Sequence, residues 1–75
     1  MLPLLLGLEE SVATKKARQV LSDAGIRYKY EDILSIDSHT GGMMVAITGS
    51  TVVPQLFVGG DSYVGEEQVR RYIRN

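Results

Sequence analysis

The chain has 75 residues, of which 44% are hydrophobic and 23% are charged, a composition typical of one folded domain and not of a disordered chain. It contains no cysteine and one histidine, which excludes disulfides and any ordinary zinc cluster. The formal net charge of −1 gives no electrostatic reason to expect nucleic acid or an anionic membrane as a partner. We therefore predict a single domain over residues 1–75 that relies on its hydrophobic core alone.

The first two predicted elements are a strand and an amphipathic helix. Residues Leu2 to Leu8 form an unbroken apolar run, which favours a central parallel strand covered on both faces. The run has no basic leading segment and two glutamates follow it, so we interpret it as a strand and not as a signal peptide. Ser11 is a typical N-cap, and Gly25 is placed to end the helix. The predicted buried face of this helix consists of Ala13, Ala17, Val20, Leu21 and Ala24.

The middle of the chain predicts an edge strand and a weaker second helix. Residues 26–31 alternate apolar and charged side chains, the pattern of a strand with one solvated face. Asp37 or Ser38 is the expected cap of the second helix and Gly49 its end. The expected buried residues of this helix are Met43, Met44 and Ile47.

The last third predicts a hairpin and a third helix. Pro54 cannot donate to a strand ladder and so precedes the strand Gln55 to Val58. A Gly59-Gly60-Asp61 turn then joins it to a short strand over residues 62–64. The final helix has Val69, Tyr72 and Ile73 as its apolar residues. The order βαβ–α–ββα predicts an α/β fold with one mixed four-stranded sheet, in which residues 2–8 and 55–58 are central, and three helices.

The segment Ser11-Val12-Ala13-Thr14 opens the first helix, where free amide groups and the positive end of the helix dipole stabilise an anion. A serine does not ionise near neutral pH, so the tetrapeptide by itself favours Ser11 as a plain N-cap. Val53-Pro54 by itself is an ordinary proline before a strand. Glu66 and Glu67 by themselves compensate the dipole at a helix start.

Taken together, these segments resemble the glutaredoxin family over nearly the full chain, which implies the thioredoxin fold. The spacing from Ser11 through Ala17, Leu21 and Gly25 to Tyr28 is similar to the stretch that begins at the nucleophilic cysteine of glutaredoxins. Family members carry Cys-x-x-Cys or Cys-x-x-Ser there, and some related selenoproteins carry selenocysteine-x-x-Thr. The resemblance therefore implies that Ser11 and Thr14 occupy the catalytic positions, with Ser11 in the place of cysteine or selenocysteine.

The resemblance also implies a glutathione site. It implies that the Val53–Pro54 bond is cis and close to Ser11, and that the Val53 backbone pairs with glutathione. It implies that Gly65, Glu66 and Glu67 form the helix start that binds the γ-glutamyl carboxylate. The chain departs from the family pattern at Val52, where threonine is usual, and at Val64, where glycine is usual. Leu8 replaces the family's lysine, and Glu9 and Glu10 add negative charge.

Two functions remain open from the sequence. The first is a glutaredoxin-type thiol–disulfide oxidoreductase of cell redox homeostasis, which is redox-silent with serine at position 11. We expect glutathione as its co-substrate and expect no cofactor or metal. The second is a non-catalytic module that binds glutathione or a protein partner through Val53-Pro54. The expected partners are glutathione or protein disulfides, without nucleic acid or membrane, and we expect a cytoplasmic monomer.

Overall fold

The computed structural model describes residues 1–35 and 39–74, and within them the elements follow the predicted order. The strands are β1 (Leu4–Gly7), β2 (Lys29–Asp32), β3 (Gln55–Val58) and β4 (Asp61–Val64), and the helices are α1 (Val12–Asp23), α2 (Thr40–Thr48) and α3 (Glu66–Arg74). The strands form one sheet in the order β2-β1-β3-β4. β1 pairs with β2 in parallel, whereas the β1–β3 and β3–β4 pairs are antiparallel. The predicted fold class, with β1 and β3 central and β2 at an edge, is confirmed.

The core lies on the sheet face that α1 and α3 cover. Because side chains alternate along a strand, Leu5 of β1 and Leu56 of β3 point to the same face, and these two residues are paired across the ladder. Both are completely buried, together with Ala17, Leu21 and Val69 of the two helices. Tyr72 and Ile73 pack against this cluster as partly buried side chains, as the pattern of α3 predicts.

Three predicted strands have different bounds in the structure, and the last of them, predicted over residues 62–64, already begins at Asp61, which pairs with Val58. The predicted strand over residues 2–8 is shorter, since the ladder to β2 begins where Lys29 N donates to Pro3 O at 2.8 Å. Leu2 lies before this point and is 42% exposed. The predicted strand over residues 26–31 is shifted to Lys29–Asp32, because only this segment has partners along β1.

Two predicted helix faces need correction. In α1, Ala24 is exposed because it forms the C-cap, and Thr14 is buried although it was not assigned to the core. Gly25, with a φ of 72°, ends this helix as predicted. In α2, Met43 and Ile47 were predicted to be buried, but they are 52% and 62% exposed.

The physical reason for the α2 error is a short helix that is apolar on all sides. Its buried face follows a spacing of four residues, with Thr40 and Met44 buried and Thr48 partly buried. Periodicity could not select this face, because residues 43–47 are all apolar. Gly49 ends α2 with a φ of 70°, as predicted. The predicted caps Asp37 and Ser38 lie outside the described residues.

Candidate functional site

The candidate site lies at the end of the sheet where β1 finishes and β3 begins. Leu6 pairs with Gln55, and β3 runs antiparallel to β1, so Pro54 lies beside the carboxyl end of β1. Residues 8–10 connect this end to Ser11, and Ser11 N donates to Leu8 O at 3.0 Å to form a tight turn. The topology therefore brings Ser11 and the Val53–Pro54 pair to the same end of the sheet.

Ser11 is the N-cap of α1, as the sequence predicts. Its backbone is extended, with φ −77° and ψ 123°, and its Oγ accepts a hydrogen bond from Thr14 N at 3.1 Å. An amide of the first helical turn is therefore aimed at the side-chain atom of position 11. The positive end of the helix dipole adds to this donor, so the position favours a negatively charged atom.

Thr14 is fully buried and acts as a spacer between α1 and β1. Its Oγ1 accepts a hydrogen bond from Leu8 N at 3.3 Å, which ties the turn before the helix to the helix itself. A Cβ placed on Gly7 would overlap the Thr14 side chain, with Oγ1 2.7 Å and Cβ 3.1 Å away. Gly7 and Thr14 therefore fit together as a pair, and Thr14 has a clear structural role whatever chemistry occurs at position 11.

The connection between β1 and α1 is held by Asp32 at the end of β2. One carboxylate oxygen of Asp32 accepts from Glu9 N at 3.0 Å, and the other accepts from Leu34 N at 2.7 Å. Glu9 and Glu10 are exposed beside it. Three acidic residues therefore lie near the start of α1, and they oppose the accumulation of negative charge there.

The Val53–Pro54 peptide bond is cis, as the resemblance predicts. Val53 is half-buried, and its backbone N–H and C=O form no hydrogen bond with any other described residue. Pro54 is buried, and its carbonyl oxygen accepts from Gly65 N at 2.7 Å. The start of α3 is therefore attached directly to the cis-proline loop.

Gly65, Glu66 and Glu67 form the beginning of α3 next to this loop. Gly65 has a φ of 88°, which a residue with a side chain rarely adopts, and its carbonyl oxygen accepts from Val69 N at 3.1 Å. The Glu66 carboxylate is 2.9 Å from the Arg70 guanidinium. The first-turn amides of α3 have no partner inside the helix, as at any helix start.

Two contributors to the site were missed by the sequence analysis. Asp32 lay beyond the predicted end of β2, although an aspartate that accepts from the amide two residues later is a known turn signal. Gln55 was read only as the first residue of a strand, but it is a fully buried polar side chain bonded to the loop before Pro54. A lone polar residue opening the apolar run Gln-Leu-Phe-Val was the signal available for it.

The described residues contain no group of three or more histidine, aspartate or glutamate side chains able to hold a metal ion. Within the same residues, no helix combines the length and the apolar character needed to cross a bilayer. The site offers one helix N-terminus with an amide aimed at position 11, the backbone of Val53, which no other described residue pairs with, and the beginning of α3.

Comparison with known proteins gives a family match and related folds. The family model described as Glutaredoxin matches residues 13–63, a range that includes Val53–Pro54 and begins just after Ser11. The hybrid peroxiredoxin hyPrx5 of Haemophilus influenzae is 35% identical over 57 residues, which are 76% of this chain and 23% of that protein. The chain thus spans about a quarter of the length of this curated relative.

Three solved structures share the fold. A glutaredoxin from Archaeoglobus fulgidus superposes with a TM-score of 0.82 at 23% identity, over 97% of this chain and 86% of that one. A buckwheat glutaredoxin in complex with glutathione gives 0.82 at 18% identity, over 96% and 67% of the two chains. The holo form of glutaredoxin C1 from Populus tremula x tremuloides gives 0.78 at 25% identity, over 97% and 75%.

Proposed function

The chain belongs to the glutaredoxin family, and on this premise we propose that position 11 is the reactive position of a glutaredoxin-type thiol–disulfide oxidoreductase that is silent with serine there. The observation that carries the proposal is the hydrogen bond from Thr14 N to Ser11 Oγ at 3.1 Å. A sulfur atom at position 11 would meet the same amide, and amides at a helix start lower the pKa of a cysteine thiol. The serine hydroxyl receives this stabilisation without becoming a nucleophile near neutral pH.

With a thiolate at position 11, the reaction is disulfide exchange with glutathione as co-substrate. The thiolate attacks the glutathione sulfur of a mixed disulfide, a new S–S bond forms at position 11, and the substrate sulfur leaves as a thiolate that takes up a proton. A second glutathione thiolate then attacks the glutathione sulfur held at position 11. This step releases oxidised glutathione and regenerates the thiolate, so the net reaction converts the mixed disulfide and one glutathione thiol into a free substrate thiol and oxidised glutathione.

The proposed glutathione site combines the two backbone segments beside position 11. The unpaired N–H and C=O of Val53 are available to an extended peptide, which would add to this edge like a strand. The helix start at Gly65, Glu66 and Glu67 would receive the γ-glutamyl carboxylate through the amides of Glu66 and Glu67, since the Gly65 amide already donates to Pro54 O. Thr14 supplies no sulfur, so an external thiol completes the reaction.

A binding module without catalysis is the second candidate, and the absence of cysteine favours it for the chain as it stands. In this role the Val53–Pro54 edge binds glutathione or a protein partner, and Ser11 is a helix cap only. Codon 11 of the gene separates the two candidates. A cysteine codon or a recoded TGA supports the enzyme, with selenocysteine in the latter case, whereas a serine codon supports the module.

The direct test compares the parent chain with Ser11→Cys in glutathione-dependent reduction of a small mixed disulfide. Ser22→Cys is the matched control, because Ser22 is exposed near the other end of the same helix, away from its positive end. We expect activity from Ser11→Cys and none above the uncatalysed rate from the parent or from Ser22→Cys. Equal activity of the two cysteine variants, or turnover by the parent, would contradict the assignment of position 11.

A further inference from the structure

Gln55 is a fully buried polar residue whose side chain satisfies both ends of its amide. Its Nε2 donates to the carbonyl oxygens of Ser50 at 3.0 Å and Val52 at 2.9 Å. Its Oε1 lies 2.9 Å from the hydroxyl of Thr48, whose one hydrogen is shared with Met44 O, also at 2.9 Å. A buried amide is costly without partners, so these three contacts fix the side chain in one position.

The contacts extend through the segment between α2 and the cis-proline. Thr48 Oγ1 accepts from Ser50 N at 3.2 Å, and Ser50 Oγ accepts from Val52 N at 3.0 Å. The segment 48–52 is therefore held by these two hydrogen bonds within it and by the three contacts with the Gln55 side chain. Val53, whose backbone pairs with no other described residue, follows immediately after the last of these contacts.

We propose that Gln55 is a positioning residue, which, with Thr48, fixes the 50–52 segment and thereby aims the Val53 backbone at the peptide of a thiol ligand. This inference rests on the proposed function for the identity of that ligand. Gln55 itself is buried beneath the loop and acts through the carbonyls of Ser50 and Val52. A loop held in its binding conformation saves the ordering cost that a mobile loop would pay on binding.

The test uses three variants of the chain with serine at position 11. Gln55→Met keeps a similar volume but leaves the two carbonyls without their donor. Thr48→Val keeps the shape of the side chain but removes the hydroxyl, whereas Thr48→Ser keeps the hydroxyl and is the matched control. The ligand is S-methylglutathione, which cannot form a disulfide and therefore reports binding alone.

Two quantities are measured by NMR spectroscopy: the affinity for S-methylglutathione and the hydrogen-exchange rate of the Gly65 amide. The Gly65 amide donates to Pro54 O and so reports whether the loop remains in place. For Gln55→Met and Thr48→Val we expect about tenfold weaker binding, equivalent to about 1.4 kcal/mol, and faster Gly65 exchange. Thr48→Ser should match the parent in both measurements.

The outcomes separate this inference from the proposed function. If the parent does not bind S-methylglutathione, the proposed glutathione site fails, and Gly65 exchange still decides the role of Gln55. Faster exchange in Gln55→Met and Thr48→Val, but not in Thr48→Ser, supports positioning. The inference is overturned if Gln55→Met has the same Gly65 exchange rate and the same affinity for S-methylglutathione as the parent. It is also overturned if the folded variants lose global stability while the Gly65 exchange rate and the affinity stay unchanged.

Discussion

Gly7→Ala tests the close fit between β1 and the first turn of α1. The added Cβ would overlap the Thr14 side chain, with Oγ1 only 2.7 Å away. Thr14 is completely buried and its hydroxyl is bonded to Leu8 N, so it cannot move aside without losing that bond. Overpacking of this kind costs about 1–3 kcal/mol.

At the middle of that range, about 2 kcal/mol, a domain of this size should lose about 8–16 °C in Tm. Thermal and urea unfolding followed by circular dichroism measure the change. Gly42→Ala is the matched control, because Gly42 lies inside α2 with nothing within 4 Å of its added Cβ. There alanine should stabilise the chain by about 0.5–1 kcal/mol, so the two substitutions have opposite signs.

The double variant Gly7→Ala/Thr14→Ala shows whether the clash is the cause. Thr14→Ala alone should be destabilising, because Leu8 N loses its acceptor. In the double variant, Thr14→Ala removes the Thr14 atoms that the new Cβ of residue 7 would overlap. The double variant should therefore be more stable, by about 1 kcal/mol, than the summed costs of the two single substitutions predict. Costs that add to within about 0.5 kcal/mol, or an unchanged Tm for Gly7→Ala, would refute the reasoning.

Three further predictions concern single side chains. Ser11→Ala removes the acceptor of Thr14 N and should lower the free energy of unfolding in urea by about 1 kcal/mol, whereas Ser11→Gly should lower it by only about a few tenths of a kcal/mol. Equal stability of the alanine variant and the parent would exclude a stabilising N-cap at Ser11. Burial raises the pKa of Tyr30 above its ordinary value of 10.0, and its hydroxyl has no partner among the described residues. As pH rises, the Tyr30 hydroxyl therefore ionises in the unfolded chain before it ionises in the folded one. Its contribution to the free energy of unfolding is fully present below the ordinary pKa and is lost as pH rises through the folded pKa. Tyr30→Phe should remove this loss of stability at alkaline pH, and in an absorbance titration it should remove the phenolate that forms at the highest pH. Removal of a phenolate that forms at lower pH would contradict the burial effect. Arg70→Gln breaks a pair with Glu66 that is partly exposed, so stability should change by no more than about 0.5 kcal/mol; a larger loss in thermal unfolding would show a stronger role for the pair.

The elements were predictable where local pattern and tertiary packing agree. The N-cap at Ser11 and the helix end at Gly25 follow from side-chain and backbone preferences that act within a few residues. The central position of β1 follows from its unbroken apolar run. The cis bond before Pro54 came from the family resemblance and not from local chemistry.

The unpredicted features depend on contacts between distant segments. Thr14 is buried because Gly7 leaves room for it, and no helical periodicity contains that information. Met44 is the buried residue of α2, and Met43 and Ile47 are exposed, because of the way the helix lies against β1. The role of Gln55 becomes visible only when the loop before Pro54 folds back over it.

The pKa of the thiol in Ser11→Cys tests the central claim most directly, because it reports whether position 11 stabilises an anion. The Thr14 amide and the helix dipole lower this pKa, whereas the negative charges of Asp32, Glu9 and Glu10 oppose them, those of the two exposed glutamates weakly through water. The pH dependence of the alkylation rate gives the value, with Ser22→Cys as the reference. We predict a pKa below the ordinary value of about 8.5 and below that of Ser22→Cys. A pKa at or above about 8.5, without glutathione exchange, would contradict the account and leave the binding module as the better description.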